Sequence, residues 1–491
     1  MPLLQIGEYR PDVADYEAQA TKSILNVIPR GDGYGPFPAA QEFSQAIAAP
    51  CRGAFYALND DGSVTTFAGT SNRLYKMSNT NLSWGDVSKG GVAYTDLSSD
   101  AQWQFAQTGS LVWATQRNAP LQVFDLASPS TFVDALGSPP QASYISVVGR
   151  FLVLSGLDSA PFRIQWSGLN NFNAADSWTS GVGGSDFQDF PDGGIVRGVA
   201  GGEYGIIFQD QAIRRMSYVP GSPIIFQIDR IAQDKGLYAP YSIVRAGENI
   251  LFYSSQGFQK IAPGGYPEPI GREKVDRTFI ADLDKGSLQL FIGASDPRSP
   301  RVYWAYKSVN GTTGLFDKIL GYDILLDRFF PLSVSGEYLL GISQTGLTLE
   351  SLDSISGSID ALTISLDAYA TAVQPEIAQF DSSHKLSFFR GSNLEATLET
   401  GEQGTDERTI TVRGFRPVTD SASVFGLVSH RLTQGQASND DAEVSISSRT
   451  GRIDPQIRDT RYARMRLRIP SGTTWTYFAG VVPDFVQTGQ L

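Results

Sequence analysis

Cysteine is almost absent: Cys51 stands alone in 491 residues. An intrachain disulfide is therefore excluded, and so is a zinc centre built from several thiolates. Two histidines, His384 and His430, leave little material for a histidine-rich metal site or for histidine-based chemistry. No run of 18 apolar residues occurs, so nothing reads as a membrane-spanning helix. Met1 to Glu8 lacks the basic and apolar regions of a secretory signal, and the expectation is a protein made in the cytoplasm. Cations are the minority charge, 39 Lys and Arg against 51 Asp and Glu, a net −12. A protein that grips nucleic acid needs clustered cations to displace phosphate counterions. This chain can touch DNA only through a local patch, or must let it pass.

Catalytic signatures are missing too. The sequence holds no G-x-S-x-G elbow, no phosphate-binding G-x-x-x-x-G-K-[ST] loop, no H-E-x-x-H and no C-x-x-C. Gly31, Gly33 and Gly35 have the wrong spacing for a dinucleotide fingerprint and read better as a turn near Pro29 and Pro36. The expectation is a non-enzyme with no catalytic residue, no metal and no cofactor.

What is plentiful is glycine (50), proline (26) and aromatic side chains (11%), a mixture that favours many short strands. One unit recurs: apolar strand, glycine turn, apolar strand, polar break, third strand. It runs through Phe105–Gln107, Leu111–Thr115 and Leu121–Leu126, and again through Tyr144–Val148, Phe151–Leu154 and Phe162–Trp166. Further copies follow around Gly202 and Gly247, and a looser one covers Ala54–Met77. The turn glycines Gly109, Gly149, Gly202 and Gly247 stand 40, 53 and 45 residues apart, the length of one four-stranded propeller blade. Two consecutive β-sandwiches would also give short strands, but without that period. The fold expected is all-β, a distorted β-propeller with an additional C-terminal β domain.

Three regions follow. Residues 1–50 read as an extended N-terminal arm and 51–345 as the propeller. Residues 346–491, with Ser/Thr-rich alternating strands such as Ala361–Leu366 and Thr409–Val412, read as a C-terminal β domain able to return a strand to the propeller. One helix is predicted within 272–283, where Val275, Phe279, Ile280 and Leu283 share a stripe. Leu320–Ile324 and Arg328–Leu332 read as the outer hairpin of a final blade.

Two charged clusters are candidate sites. Asp186, Asp189 and Asp192 could gather a calcium ion or act as an acid–base pair, and a solvated turn is the plainer reading. Residues 441–491 hold seven arginines, and Arg464, Arg466 and Arg468 alternate with apolar residues on one strand, with Arg461 just before it. Three cations on one face call either for an anionic partner, a subunit or adaptor interface, or for acids from a neighbouring strand.

From Asp186 onward the order of elements resembles a known family. An acidic turn enters Pro191-Asp192-Gly193-Gly194-Ile195-Val196-Arg197-Gly198. Next come Gly205-Ile206-Ile207-Phe208, Ile213-Arg214-Arg215-Met216, Lys235-Gly236-Leu237-Tyr238-Ala239-Pro240 and Ile250-Leu251-Phe252-Tyr253-Ser254. Glu273 to Arg277 and the hairpin around Gly321-Tyr322-Asp323 close the series. This is similar to the tail hub or nozzle proteins of short-tailed bacteriophages, the packaged-DNA stabilisation proteins. The resemblance covers residues 190–335 well, 50–190 loosely, and the last third mainly in its basic closing strands. It implies a structural virion protein of the tail, a homohexameric ring beneath the portal and its adaptor. Such a ring would carry fibres or spikes, receive a plug or needle, and let double-stranded DNA pass without sequence specificity. Six copies at −12 carry −72, and like charge keeps a polyanion from sticking to its conduit. The competing expectation is a propeller that binds or hydrolyses glycans, with Asp186, Asp189 or Asp192 at the ring centre.

Overall fold

The computed structural model describes residues 3–14, 20–222, 224–344, 374–404, 408–455 and 458–490. Among them the strands form seven four-stranded antiparallel sheets, two larger sheets and a two-stranded parallel pair, Glu8–Tyr9 with Ala20–Thr21, with one α-helix, Asp276–Asp282. Blades 1 to 6 follow the chain, within residues 54–86, 104–134, 142–189, 196–233, 244–269 and 292–332. Blade 7 is composite: Tyr338–Gln344, Gln374–Phe380 and Lys385–Asn393 are joined by Pro38–Ala46 as the outermost strand. First strands adjoin from blade 1 to blade 4 and from blade 5 through blade 7 back to blade 1. Blades 4 and 5 join through Ile206, Phe208 and Ile213 against Ile250, Phe252 and Ile261.

The glycine turns explain the blades locally. Gly109, Gly149 and Gly247 have φ of 59°, 57° and 62° between the first two strands of blades 2, 3 and 5. That left-handed backbone costs a side-chain-bearing residue and not glycine. Aromatic rings then fill the wedges between blades. Phe67 and Phe124, 5.1 Å apart, join blades 1 and 2, and Phe258 and Trp304, 4.7 Å apart, join blades 5 and 6. Burying each such ring contributes about 1.5–3 kcal/mol.

The C-terminal unit is two sheets face to face. In one, Arg408–Thr419 lies between Arg458–Thr460 and Phe478–Gln490; in the other, Tyr462–Ile469 lies between Phe425–Arg431 and Ala396–Glu399. Val412, Phe415, Val428, Met465, Leu467 and Phe478 fill the space between them.

Several expectations need correction. The arm, residues 1–50, is built into the C-terminal unit: Leu4–Gln5, Val27–Arg30 and Gly33–Pro36 join the first C-terminal sheet, and Ile24–Leu25 joins the second. Closure of the ring draws on both ends of the chain: residues 346–491 supply Gln374–Phe380 and Lys385–Asn393, and the arm adds Pro38–Ala46 outside them. The propeller therefore extends beyond 51–345, taking in 38–46 and 374–393, and the hairpin at 318–332 completes blade 6, the penultimate one. Ala361–Leu366 lies outside the described residues. An arm that covers sheet edges removes unpaired N–H and C=O groups, which is why polar, Pro-punctuated sequence becomes strand here.

Candidate functional site

The propeller axis is bridged by protein. Gln102, entering blade 2, donates its backbone N–H to the Tyr241 hydroxyl at 2.9 Å and its Nε2 to the Gln289 carbonyl at 2.8 Å. Tyr241 and Gln289 lie in 3-10 turns entering blades 5 and 6, the blades opposite blade 2 in a ring of seven. The Tyr144 ring, from blade 3, packs 6.1 Å from that of Tyr241. Burial pushes the Tyr241 phenol well up from its usual range, so it stays a neutral acceptor and donor.

The acidic cluster lies at the perimeter. Asp186–Asp189 is the outermost strand of blade 3, and Asp192 lies in the turn that follows, so none of the three occupies the propeller centre that the glycan reading needs. Each carboxylate is engaged within the chain. Asp186 accepts from Ser180 Oγ at 2.7 Å, and Asp189 takes a two-point pair from Arg163 at 2.6 and 2.9 Å. Asp192 pairs with Arg214 at 2.6 Å and Arg230 at 3.1 Å. These guanidinium hydrogen bonds hold Asp189 and Asp192 below the usual carboxylate range. They are pinned edge residues, with no pair left to act as acid and base.

The arginine strand alternates as the sequence requires: Met465, Leu467 and Ile469 are buried while Arg464, Arg466 and Arg468 face outward, half-buried. Acids of the adjoining strands and turns neutralise them. Arg466 meets Glu399 at 2.7 Å and Asp440 at 2.8 Å, and Arg468 meets Glu443 at 2.6 Å and Glu395 at 3.0 Å. Arg464 lies 3.5 Å from both Glu399 and Glu402. Glu402 in turn binds Arg431 by two hydrogen bonds of 2.8 and 2.6 Å. Repulsion along the stripe is answered inside the sheet, so the physical need for an external anion disappears. Arg461, half-buried, makes no ion pair among the described residues.

Sequence reasoning missed a convergence at the closure of the ring. Glu337, beside the first strand of blade 7, accepts the Cys51 backbone N–H at 2.8 Å and lies 2.5 Å from His384 Nδ1. His384 sits in the Asp381–Lys385 turn with φ 62°. The trio is structural: the buried Cys51 thiol donates to the Gly53 carbonyl at 3.5 Å, and burial pushes its pKa well up, away from the thiolate a nucleophile needs. A charged turn followed 47 residues earlier by a lone buried Glu carries no periodic signal. His430 lies on Phe425–Arg431, 3.8 Å from Asp441.

The arm also reaches the helix. Asp12 accepts the N–H groups of Arg277 and Thr278 at 2.7 and 2.9 Å and the Thr278 hydroxyl at 2.7 Å, a cap supplied from far along the chain. Beside it Asp276 accepts the Phe258 N–H at 3.1 Å, its carboxyl packed against Gly257 and Gly271, where any Cβ would collide with it. Burial, with the Asp12 charge adding to it, pushes Asp276 up to about 6. The folded chain thus keeps a proton that the unfolded chain releases near pH 3.8, so stability falls as pH rises from about 4 to 6 and the penalty is complete above 6. Asp276→Asn, which keeps the acceptor, should raise stability at pH 7 by about 1 kcal/mol after solvent screening and change little at pH 4. Urea midpoints at the two pH values check this; an equal shift at both would contradict it.

No protein-family model matches this sequence, and no curated protein is similar to it. Among solved structures the chain is distantly similar to the Neurospora crassa Pan2 WD40 domain, with 8% identity and a TM-score of 0.38 over 69% of this chain and 88% of that one. It is also similar to the Cps50 (Swd1) β-propeller domain of Myceliophteria thermophila, with 9% identity and a TM-score of 0.34 over 58% and 95%. A third is the extracellular domain of a putative hybrid two-component system of B. thetaiotaomicron, with 10% identity and a TM-score of 0.39 over 82% and 47%. The assignment of a β-propeller rests on the sheet order itself.

Proposed function

We propose that this chain is a structural component of a short-tailed bacteriophage virion. In this reading it is a tail nozzle subunit that assembles with further copies into a six-fold ring below the portal and adaptor. The observation that carries the reading is that the molecule is a closed, sewn block. Its axis is bridged by Gln102, Tyr241 and Gln289. Its N-terminal arm runs through both C-terminal sheets and seals blade 7. Such a body suits load-bearing assembly better than a chemistry that must open and close. A duplex whose major groove alone is about 12 Å wide has no route through the bridged axis, so its passage lies between copies. The net −12 of each copy keeps the wall from gripping phosphate. Fibres or spikes, and a plug or needle, are the partners such a ring would hold, and the compartment is the virion tail.

Sedimentation over a range of concentrations tests this. A species near six chains of 53.2 kDa, about 319 kDa, is expected, with no retention of duplex DNA at about 0.15 M salt. Monomer at every concentration, also with the portal adaptor present, would overturn the proposal.

A further inference from the structure

A cavity of about 480 Å³ opens where the arm, the helix and blade 6 meet. Its lining is mostly apolar, with half-buried Pro11, Leu25 and Pro331 joined by buried Phe279 and Leu320. Two polar groups in it stay open. Asp282 accepts the Tyr306 hydroxyl at 2.9 Å and Lys318 Nζ at 2.7 Å, both on Oδ2, and its Oδ1 accepts no hydrogen bond among the described residues. The Asp282 side chain is 30% exposed, so that oxygen can be reached. Tyr9 lines the same cavity, and its hydroxyl has no partner among the described residues yet is not sealed from solvent. Burial, with the Asp12 and Asp282 charges adding to it, pushes Tyr9 up to about 12, so the hydroxyl keeps its proton.

Elsewhere the surface carries a side chain of matching kind. Tyr266, in the turn between the third and fourth strands of blade 5, is 69% exposed and makes no hydrogen bond or ring contact among the described residues. The turn itself is fixed. Gly264 has φ 69°, the Gly265 N–H donates to the Ala262 carbonyl at 2.9 Å, and Arg215 of blade 4 donates to the Gly265 carbonyl at 2.9 Å. A large ring held out on a stiff turn has little freedom left to lose on binding.

We propose that Tyr266 of one copy inserts into this cavity of the next copy, its ring against the apolar lining and its hydroxyl donating to Asp282 Oδ1. The same hydroxyl accepts from Tyr9, so both open groups are satisfied by one phenol. Charge favours the match as well. Lys22 and Lys318 outnumber Asp282 in the lining, and Glu268, exposed two residues past Tyr266 and without an ion pair among the described residues, brings the opposite sign. A free anion such as phosphate finds no such fit, because it would meet apolar walls and the Asp282 carboxylate. The volume lies within the range of ligand pockets, about 300–1,000 Å³, and admits a tyrosine side chain. Knob and cavity sit on different parts of the molecule, so the contact is head-to-tail, the kind that builds a cyclic ring. The inference rests on the ring reading above and names the contact that joins its subunits.

Sedimentation of the full chain tests it with two variants and their mixture. Tyr266→Ser keeps the cavity and loses the knob. Ser333→Trp, at an exposed position in the lining, keeps the knob and fills the cavity. Each alone should associate roughly thirtyfold or more weakly than wild type, the loss expected for a buried aromatic anchor. An equimolar mixture should give a species of two 53.2 kDa chains, about 106 kDa, and nothing larger, since only one knob and one cavity remain per pair. That species also shows that both variants are folded. Rings of wild-type strength from either variant, or a mixture that stays monomeric where wild type assembles, overturn this contact and leave the ring reading standing. Wild type that is monomeric at every concentration overturns both.

Discussion

Deleting residues 1–46 should abolish cooperative folding of both the propeller and the C-terminal unit, although the deletion removes less than a tenth of the chain. Blade 7 loses its outermost strand, leaving Lys385–Asn393 as an unpaired edge beside the closure of the ring. Both C-terminal sheets lose strands at the same time. Ile24, Val27, Tyr34, Phe37 and Phe43, each under 10% exposed, leave the core with them. At about 1.5–3 kcal/mol per side chain the five account for roughly 8–15 kcal/mol, as much as the whole stability of a typical domain, about 5–15 kcal/mol. Circular dichroism melts and limited proteolysis of the truncated chain measure this. A broad, non-cooperative melt with rapid cleavage is expected, and a sharp transition at the wild-type temperature would contradict it.

The second large effect belongs to Glu402. Its side chain and that of Arg431 are 3% and 6% exposed, bound by two hydrogen bonds, with Arg464 3.5 Å away. Glu402→Leu leaves the Arg431 guanidinium buried without its carboxylate, and removal of one partner of a buried pair costs about 3–5 kcal/mol, mostly through the stranded charge. Arg117→Ala is the contrast: its pair with Asp158 is 2.9 Å long, but both side chains are more than half exposed, so the loss should stay below about 1 kcal/mol. Urea denaturation of the two variants side by side should show a large shift of midpoint for the first and almost none for the second. Equal shifts would mean that the Arg431–Glu402 pair is not the keystone of its sheet.

Much of the propeller could be read from the residues, because a blade imposes its pattern within some 45 positions. Arg328–Leu332 is a strand over the full length predicted for it, and Leu111–Thr115 lies within the strand Leu111–Gln116. The helix stripe is present too, with Val275, Phe279 and Leu283 buried, although the helix itself is only Asp276–Asp282. Blade 7 was illegible for a physical reason: its outermost strand lies some 300 residues before the others, and Pro38-Ala39-Ala40-Gln41-Glu42 lacks the apolar alternation of a half-buried strand. For the charged clusters, residue type was readable and partnership was not. Arg466 and Glu399 are 67 positions apart and Arg163 and Asp189 are 26, and only strand pairing brings them together. The axial bridge of Gln102 to Tyr241 and Gln289 belongs to the same class, set by ring closure and invisible to local periodicity.

Averaged images of single particles of the purified protein bear most directly on the central idea, that passage lies between copies and never through one. The expected result is a six-fold ring with one open lumen, surrounded by propellers whose own centres are filled. Separate single chains, or density for DNA threading a propeller's own axis, would contradict it.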